Sequence, residues 1–267
     1  MAPEISRWRG LAYATLLRGS SLIERAAKGL RYAAAGILTE DEFFQRTRVV
    51  YDTYRATDVD ALAGLHWWER DVYDRFLAPG DRVLIIGVGT GRDLLPLARA
   101  GHDVVGMDCL AGPLAAAQRH LDAAGLSATL IEGAIEHGLP GAAPFDVVIF
   151  SDKTYSLIPL VSRRLAALGH ARRLLKPNGR IVVSYFETPE VQPQRSVALH
   201  WLAAAATRSG WRLSQHDIVE ARGPKGAWLH YYHMFTAREF DEEARAAGLR
   251  IVYRREPADP PTVVLAV

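Results

Sequence analysis

The sequence has few of the residues that bind metals or form covalent cross-links. Its 267 residues contain a single cysteine, Cys109, which excludes an internal disulfide and a cysteine-based metal site. One cysteine is compatible with a reducing compartment, so we expect a cytoplasmic protein. The histidines and acidic residues show no recognisable ligand spacing, and the sequence therefore predicts no metal site.

Long apolar runs and an excess of one charge are also missing. No uncharged run reaches the roughly 18 residues that a membrane-spanning helix needs. Arginines interrupt the apolar residues near the N-terminus, so we expect no secretory signal. The formal net charge is only +2 and gives no reason to expect a nucleic-acid partner. The length fits one large domain, or one domain with an appendage.

The stretch Arg82 to Ala98, RVLIIGVGTGRDLLPLA, has the pattern of a strand, a glycine-rich turn and a helix. Val83 to Ile86 is a short apolar run, as expected for a strand buried on both faces. The turn consists of Gly87, Val88, Gly89, Thr90 and Gly91, and a helical pattern begins near Arg92. Glycines let a ligand approach the backbone closely. The G-x-G-x-G spacing makes a NAD(P)-dependent dehydrogenase a weak alternative.

A carboxylate follows the next predicted strand. The strand His102 to Met107 ends in Asp108, where a carboxylate can accept both hydroxyls of a ribose. The structural alternative for Asp108 is a helix N-cap before Pro113. Further strands are predicted at 128–131, 145–150 and 181–186, with helical patterns between them. This alternation predicts an α/β fold.

Four segments together resemble the class I S-adenosylmethionine (SAM)-dependent methyltransferases: GVGTG, the MD ending at Asp108, FDVVIF at 145–150 and LLKPNGRIVVSYF at 174–186. The resemblance covers roughly residues 80–186 and resumes at 234–267. It implies a Rossmann-like, mostly parallel sheet of seven strands with helices on both faces. We expect a helical N-terminal extension or lid (1–79), a SAM-binding core (80–186), an inserted cap of a helix and a β-hairpin (187–233), and the end of the core sheet (234–267).

The resemblance also implies the cofactor, SAM, and its binding residues. These are Gly87, Val88, Gly89, Thr90, Gly91, Asp108, Cys109, Ala134, Ile135, Ser151 and Lys153. Asp108 would hold the ribose, and the backbone amide of Ile135 would face the adenine. Two positions depart from the family pattern, because Ile85 and Ala134 stand where the family has acidic residues. Glu132 or Glu136 are the candidates to replace the acid that is missing at Ala134.

No fixed catalytic signature is expected for methyl transfer, because the sulfonium leaving group is already good and the protein mainly aligns the reactants. The candidate acceptor-binding residues are Tyr51, Tyr54, Asp152, Tyr155, His230 and Tyr232. The candidate catalytic residues are His233, as a base with a pKa near neutrality, and Tyr155. The alternative for His233 is a structural histidine at a strand end. His230 and His233 should face opposite sides of their strand, so we do not expect them to act together.

The N-terminal residues show helical periodicity, with a predicted interruption at Gly19-Ser20-Ser21. Between Ile5 and Arg31, six basic residues face one acid, Glu24. Such a basic amphipathic helix can lie on an anionic membrane, at the inner face. Alternatively, it packs on its own domain or on a second subunit of a homo-oligomer.

The leading hypothesis is a SAM-dependent methyltransferase that acts on an N or O atom of a small-molecule acceptor. One alternative is a methyltransferase that modifies a phospholipid headgroup or a quinone at a membrane surface. A second alternative is a SAM-binding protein that transfers no methyl group.

Overall fold

A computed structural model describes residues 7–52, 58–188, 195–223, 228–255 and 260–267. The helices in these ranges are α1 (Arg7–Ile37), α2 (Glu40–Asp52), α3 (Asp58–Ala63), α4 (Trp67–Phe76), α5 (Leu94–Arg99), α6 (Ala111–Ala124), α7 (Thr154–Leu157), α8 (Val161–Arg173), α9 (Arg195–Thr207) and α10 (Ala237–Ala246). The strands are β1 (Arg82–Ile86), β2 (Asp103–Asp108), β3 (Thr129–Glu132), β4 (Phe145–Phe150), β5 (Leu175–Ser184), β6 (Phe186–Glu187), β7 (Asp217–Arg222), β8 (Trp228–Phe235), β9 (Arg250–Arg254) and β10 (Thr262–Ala266).

Seven strands form the main sheet in the order β3-β2-β1-β4-β5-β10-β9. The first five of these run parallel to one another, and β10 is antiparallel to both β5 and β9. The strand order reverses next to β1, which places a ligand crevice at the carboxyl ends of the central strands. The predicted α/β fold, with its seven-stranded, mostly parallel sheet, is confirmed.

Both faces of the sheet are buried, which explains why β1 and β4 read as continuous apolar runs. Leu84 and Ile86 of β1 belong to an apolar cluster on one face, and Val83 and Ile85 belong to a second cluster on the other face. The side chains of β1 therefore alternate between two apolar clusters, and neither face of the strand is polar.

Three strands form a second sheet, in the order β6-β8-β7, which we call the cap. β7 and β8 are the antiparallel pair expected of a hairpin, and β6 runs parallel to β8. One predicted boundary is wrong, because Phe186 pairs with Met234 in the cap and not within the main sheet. β7 begins at Asp217, and Trp211 and Leu213, which precede it, belong to a third apolar cluster that also contains residues of α1.

The N-terminal region is helical, as predicted, but its division into helices differs from the prediction. α1 is continuous through residues 19–21, so the predicted interruption is wrong; the Ser21 hydroxyl donates to the carbonyl of Leu17 at 3.0 Å within the helix. The C-terminal part of α1 packs against α9 and contributes Tyr32 and Ala35 to the third apolar cluster. Among the described residues, no helix combines the length and apolarity required to cross a membrane.

Candidate functional site

A cavity of about 520 Å³ lies at the carboxyl ends of β1, β2, β3 and β4. Its wall comes from the turn after β1, the segments after β2, β3 and β4, and one side of α2. The predicted residues that line it are Tyr51, Gly87, Val88, Gly89, Thr90, Asp108, Cys109, Ala134, Ile135, Ser151 and Asp152. The fold thus brings together five chain segments that the sequence separates by up to 101 residues, from Tyr51 to Asp152.

Two glycines of the turn after β1 border the cavity. Gly87 has a φ of +74°, and an added Cβ would lie 2.3 Å from Oγ1 of Thr154. Gly89 has a φ of +54°, and an added Cβ would meet no atom within 4 Å, so its backbone faces open space. Gly91 does not line the cavity; it packs against Ala117, 3.5 Å from where its Cβ would stand. The turn therefore offers bare backbone to a ligand.

Asp108 is held at the end of β2 by backbone donors. Its Oδ2 accepts from the Gly89 amide at 2.9 Å, and its Oδ1 accepts from the Leu110 amide at 3.1 Å. Burial raises the pKa of this carboxyl above its usual range, although the backbone amides oppose the shift. Each carboxylate oxygen can accept more than one hydrogen bond, so both retain capacity for a ligand hydroxyl.

Glu132 and Glu136 are the two candidates to replace the acidic residue that is missing at Ala134, and the structure distinguishes them. Glu136 lines the cavity and Glu132 does not. The Oε1 atom of Glu136 is buried without a hydrogen-bond partner among the described residues, with Nη1 of Arg163 3.7 Å away. A buried carboxylate oxygen without a hydrogen bond is a costly arrangement that a donor on a ligand would relieve.

Arg48 of α2 is a cavity residue that the sequence analysis did not single out. Its guanidinium donates to the carbonyl of Cys109 and lies over the ring of Phe44, 5.2 Å from the centroid. Burial raises the pKa of the Cys109 thiol to about 11, so the thiol stays protonated at neutral pH. The described geometry therefore gives Cys109 a lining role and no nucleophilic character.

A buried network of charged side chains lies behind one wall of the cavity, at Arg92 and Ser151. The two guanidinium nitrogens of Arg92 each bind an oxygen of Glu69, and Nη2 also lies 2.6 Å from Oδ1 of Asp93. The Ser151 hydroxyl donates to Oδ2 of Asp93 at 2.7 Å. Arg92 and Ser151 line the cavity, so the network connects its wall to the interior.

Lys153 follows this wall but does not line the cavity. Its backbone has a φ of +62°, and its amide donates to the hydroxyl of Ser184 at 2.9 Å. Its ammonium group lies 2.6 Å from Oδ1 of Asp152 and 5.5 Å from the ring centroid of Phe186. The left-handed backbone turns this side chain toward the cap.

Tyr51 lines the cavity and contacts His230 of the cap, which does not line it. The Tyr51 hydroxyl lies 2.8 Å from Nε2 of His230. Burial lowers the pKa of His230 below its ordinary value, so the imidazole is neutral at pH 7. Tyr232, on the same face of β8, donates to Oε1 of Glu220 at 3.1 Å and does not line the cavity. Tyr54 lies outside the described residues.

Tyr155 and His233, the two candidate catalytic residues, lie in the interior. The Tyr155 side chain is fully buried, and its hydroxyl donates to Oε2 of Glu243 at 2.6 Å. His233 is 1% exposed and lies between Asp217 and Glu239. Neither side chain lines the cavity, because both point toward the packed side of their elements.

Several cavity residues escaped the sequence analysis. They are chiefly Phe44, Thr47, Arg48, His66, Arg92 and Thr154. Phe44, Thr47, Arg48 and Tyr51 recur at three- and four-residue steps along α2, which is the spacing of one helical face. This spacing is visible in the sequence, but it does not distinguish a helix face that lines a cavity from one that packs in the core.

Comparison with known proteins adds a family match and distant relatives. Residues 83–179 match a family model described as a methyltransferase domain. A demethylmenaquinone methyltransferase of Renibacterium salmoninarum is 33% identical over 150 residues, or 55% of this chain and 60% of that protein. A ubiquinone biosynthesis O-methyltransferase of Azorhizobium caulinodans is 35% identical over 105 residues, or 39% of this chain and 40% of that protein. Both relatives are thus matched over less than two thirds of their own length.

Solved structures show the same fold. The chain is similar to a SAM-bound amino pentose methyltransferase from Micromonospora echinaspora involved in calicheamicin biosynthesis, with a TM-score of 0.54 and 20% sequence identity. The similarity covers 76% of this chain and 92% of that one. At this level of identity, the agreement concerns the course of the backbone.

Proposed function

We propose a methyl-transfer function on the premise that this chain, over residues 83–179, belongs to the class I SAM-dependent methyltransferases, whose cofactor is SAM. The proposed reaction moves the methyl group of SAM to an N or O atom of a small-molecule acceptor. The observation that carries this proposal is the cavity itself. It joins the glycine turn, Asp108 and the segments after β3 and β4 at one edge of the sheet.

The described residues fit SAM along the length of the cavity. In this proposal, the backbone at Gly87 and Gly89 faces the methionine portion, and Asp108 accepts the ribose hydroxyls. Glu136 accepts from the adenine amino group, which supplies the donor that its buried Oε1 lacks among the described residues. SAM supplies an activated methyl group on a sulfonium, and the chain holds the acceptor in line and excludes water.

We propose that Tyr51 and His230 form the acceptor side of the site. A hydroxyl acceptor that binds at Tyr51 can pass its proton to the Tyr51 oxygen while the Tyr51 proton moves to Nε2 of His230. The neutral state of His230 supports this role, because a base must begin unprotonated. Asp152 lines the same cavity and, although Lys153 lies 2.6 Å from its Oδ1, would favour the ammonium product of N-methylation.

The first test is SAM binding by calorimetry to the wild-type chain, Asp108→Asn and Glu132→Gln. Charged hydrogen bonds contribute about 1.5–3 kcal/mol, so Asp108→Asn should weaken binding by roughly tenfold to a hundredfold. Glu132 pairs with Asp108 across β2 and β3 but lies outside the cavity, so Glu132→Gln should bind normally. Unchanged binding by Asp108→Asn, or no binding by the wild type, would contradict the proposal.

The second test follows methylation of a panel of phenols and amines. Tyr51→Phe and His230→Gln should reduce kcat more for phenols than for amines, because only the hydroxyl acceptor must lose its proton during transfer. Tyr232→Phe is the matched control on the same face of β8. Tight SAM binding with no methylated product from any acceptor would favour a SAM-binding protein without transferase activity.

A second candidate function places the chain at a membrane surface. The N-terminal half of α1 exposes Trp8, Leu11, Leu16 and Ile23, with Leu16 74% exposed. α1 carries six basic residues and one acid, which favours an anionic surface. We propose that this part of α1 binds anionic phospholipid, where a lipid-like acceptor would be within reach.

The test is co-sedimentation with phosphatidylglycerol vesicles. The double variant Leu16→Glu/Ile23→Glu should lose binding and retain affinity for SAM, because neither residue is near the cavity. Phosphatidylcholine vesicles serve as the uncharged control. A dimer that dissociates upon the same substitutions, without any vesicle binding, would instead assign this helix to a homo-oligomer interface.

A further inference from the structure

A second cluster of titratable side chains lies outside the proposed methyl-transfer site. His216 precedes β7, His233 lies in β8 and Glu239 lies in the first turn of α10. Oε1 of Glu239 is 3.0 Å from Nε2 of His233, and Oε2 contacts Nδ1 of His216. One nitrogen or oxygen atom from each residue lies within 4.8 Å of the other two.

His233 is oriented by a buried carboxylate behind it. Its Nδ1 atom lies 2.7 Å from Oδ1 of Asp217, which also accepts from the Tyr231 hydroxyl at 2.7 Å. A proton on Nδ1 leaves the Nε2 lone pair directed at Glu239. Metal-bound histidines characteristically have such a carboxylate on their second nitrogen.

The other two residues are also fixed by their backbones. The carbonyl of His216 accepts from the Met234 amide at 3.0 Å. The Glu239 amide donates to the Thr236 hydroxyl at 3.1 Å at the start of α10. A glutamate at this helix position often caps the helix end with its carboxylate. Here both carboxylate oxygens contact histidine nitrogens instead.

The surroundings favour a cation. His233 and Glu239 line a cavity of about 540 Å³ whose charged residues are Arg164, Arg212, Asp217, Glu239, Glu242 and Glu243. Arg164 and Glu243 neutralise each other through a buried ion pair with a 2.6 Å contact. Glu242 pairs with Arg238 at 2.8 Å, so Asp217 and Glu239 remain against Arg212 alone, and this excess of negative charge favours a cation.

We propose that Nδ1 of His216, Nε2 of His233 and the Glu239 carboxylate bind a divalent transition-metal ion, with Zn²⁺ as the best match. Two imidazoles and one carboxylate form a recognised zinc ligand set that leaves a fourth position for water, which the adjacent cavity can hold. Nitrogen ligands disfavour Mg²⁺ and Ca²⁺, which prefer oxygen. Binding displaces the proton that each imidazole–carboxylate contact shares.

The ion would join the cap to the main sheet. His216 and His233 belong to the cap hairpin, whereas Glu239 belongs to α10, which packs beside the main sheet. The site is separate from the acceptor side, because His233 and His230 lie on opposite faces of β8. The expected role is therefore to stabilise the cap, and the proposal does not depend on methyl transfer.

The test uses the full chain after removal of metal with a chelator. Equilibrium dialysis with elemental analysis should find one Zn²⁺ per wild-type chain, and Co²⁺ should show a visible absorption spectrum with nitrogen ligands. His216→Gln and Glu239→Gln should each abolish stoichiometric binding and the cobalt spectrum. His170→Gln, on α8, should bind as the wild type does.

Thermal unfolding provides a readout that distinguishes metal binding from misfolding. Zn²⁺ should raise the Tm of the wild type and of His170→Gln, but not that of Glu239→Gln, whose circular dichroism should match the wild type. Less than one ion per wild-type chain, or equal binding by wild type and Glu239→Gln, would overturn the proposal. The cluster would then be an imidazole–carboxylate network that needs no ion.

Discussion

At the scale of single residues, two buried carboxylates share one guanidinium behind the glycine turn. Glu69 is 0% exposed and Asp93 is 1% exposed, and Arg92 contacts both. Burial, reinforced by the charge of Glu69, raises the pKa of Asp93 to about 7. Arg92 carries one positive charge, whereas Glu69 and Asp93 would carry two negative ones. Asp93 is therefore the group of the three that gains a proton most easily.

This arrangement predicts a pH-dependent stability. The Asp93 carboxyl in the unfolded chain titrates near pH 4, so between about pH 4 and pH 7 the folded state binds more protons than the unfolded state. The contribution of Asp93 to the free energy of unfolding should therefore decrease as pH rises through this window. Asp93→Asn should remove that part of the slope.

Urea unfolding of wild type, Asp93→Asn and Asp122→Asn between pH 5 and pH 8 measures the effect. Asp122 is an exposed residue of α6 and serves as the control. As pH rises, the free energy of unfolding of Asp93→Asn should increase relative to that of the wild type. A difference that is constant across this pH range would contradict the assignment.

At the scale of elements, α1 has two halves with different surroundings. An added Cβ at Gly36 would lie 2.4 Å from the carbonyl oxygen of His200 in α9. An added Cβ at Gly19 would meet nothing within 4 Å. Gly36 thus permits the close approach of two helices, whereas Gly19 is an exposed helix position that the sequence analysis took for a break.

The two glycines predict opposite effects of the same substitution. Gly36→Ala should lower the free energy of unfolding by about 1–3 kcal/mol, because a helix backbone must shift to admit the methyl group. Gly19→Ala should raise it by up to about 1 kcal/mol through helix propensity alone. Urea unfolding checks both values, and equal effects of the two substitutions would argue against the α1–α9 packing.

At the scale of the whole molecule, a buried ion pair connects α8 to α10, the helix that follows the cap. Arg164 of α8 binds both carboxylate oxygens of Glu243 in α10, and Tyr155 donates to the same carboxylate. Arg164 and Glu243 are 79 residues apart in the chain. The pair therefore links segments on both sides of the inserted cap.

Breaking this pair should destabilise the whole fold. Arg164→Met leaves the Glu243 carboxylate buried without its cation, which should cost about 3–5 kcal/mol. The double variant Arg164→Met/Glu243→Leu removes the unpaired charge and should regain at least half of that loss. Urea unfolding measures the free energy of unfolding of each variant. If Arg164→Met lies within about 1 kcal/mol of the wild type, the expected cost of about 3–5 kcal/mol is contradicted.

The sequence by itself determined the class of fold. The apolar runs of β1 and β4, the glycine turn and the position of Asp108 at the end of β2 are local patterns, since each depends on neighbours a few residues apart. Parallel strands with helices between them then leave few arrangements, because crossover connections have one hand. The expectation of seven strands came from the resemblance to the class I SAM-dependent methyltransferases.

Only the tertiary structure decided which side chains reach the cavity. Tyr155 and His233 have the chemistry of catalytic residues, yet they turn into the interior, where Glu243 and Asp217 hold them. Arg48 and Glu136, which no local motif marks as a pair, line the same cavity because α2 supplies one wall and the segment after β3 supplies another. Local periodicity fixes the face on which a residue lies. Packing between distant segments decides whether that face meets a ligand or the core.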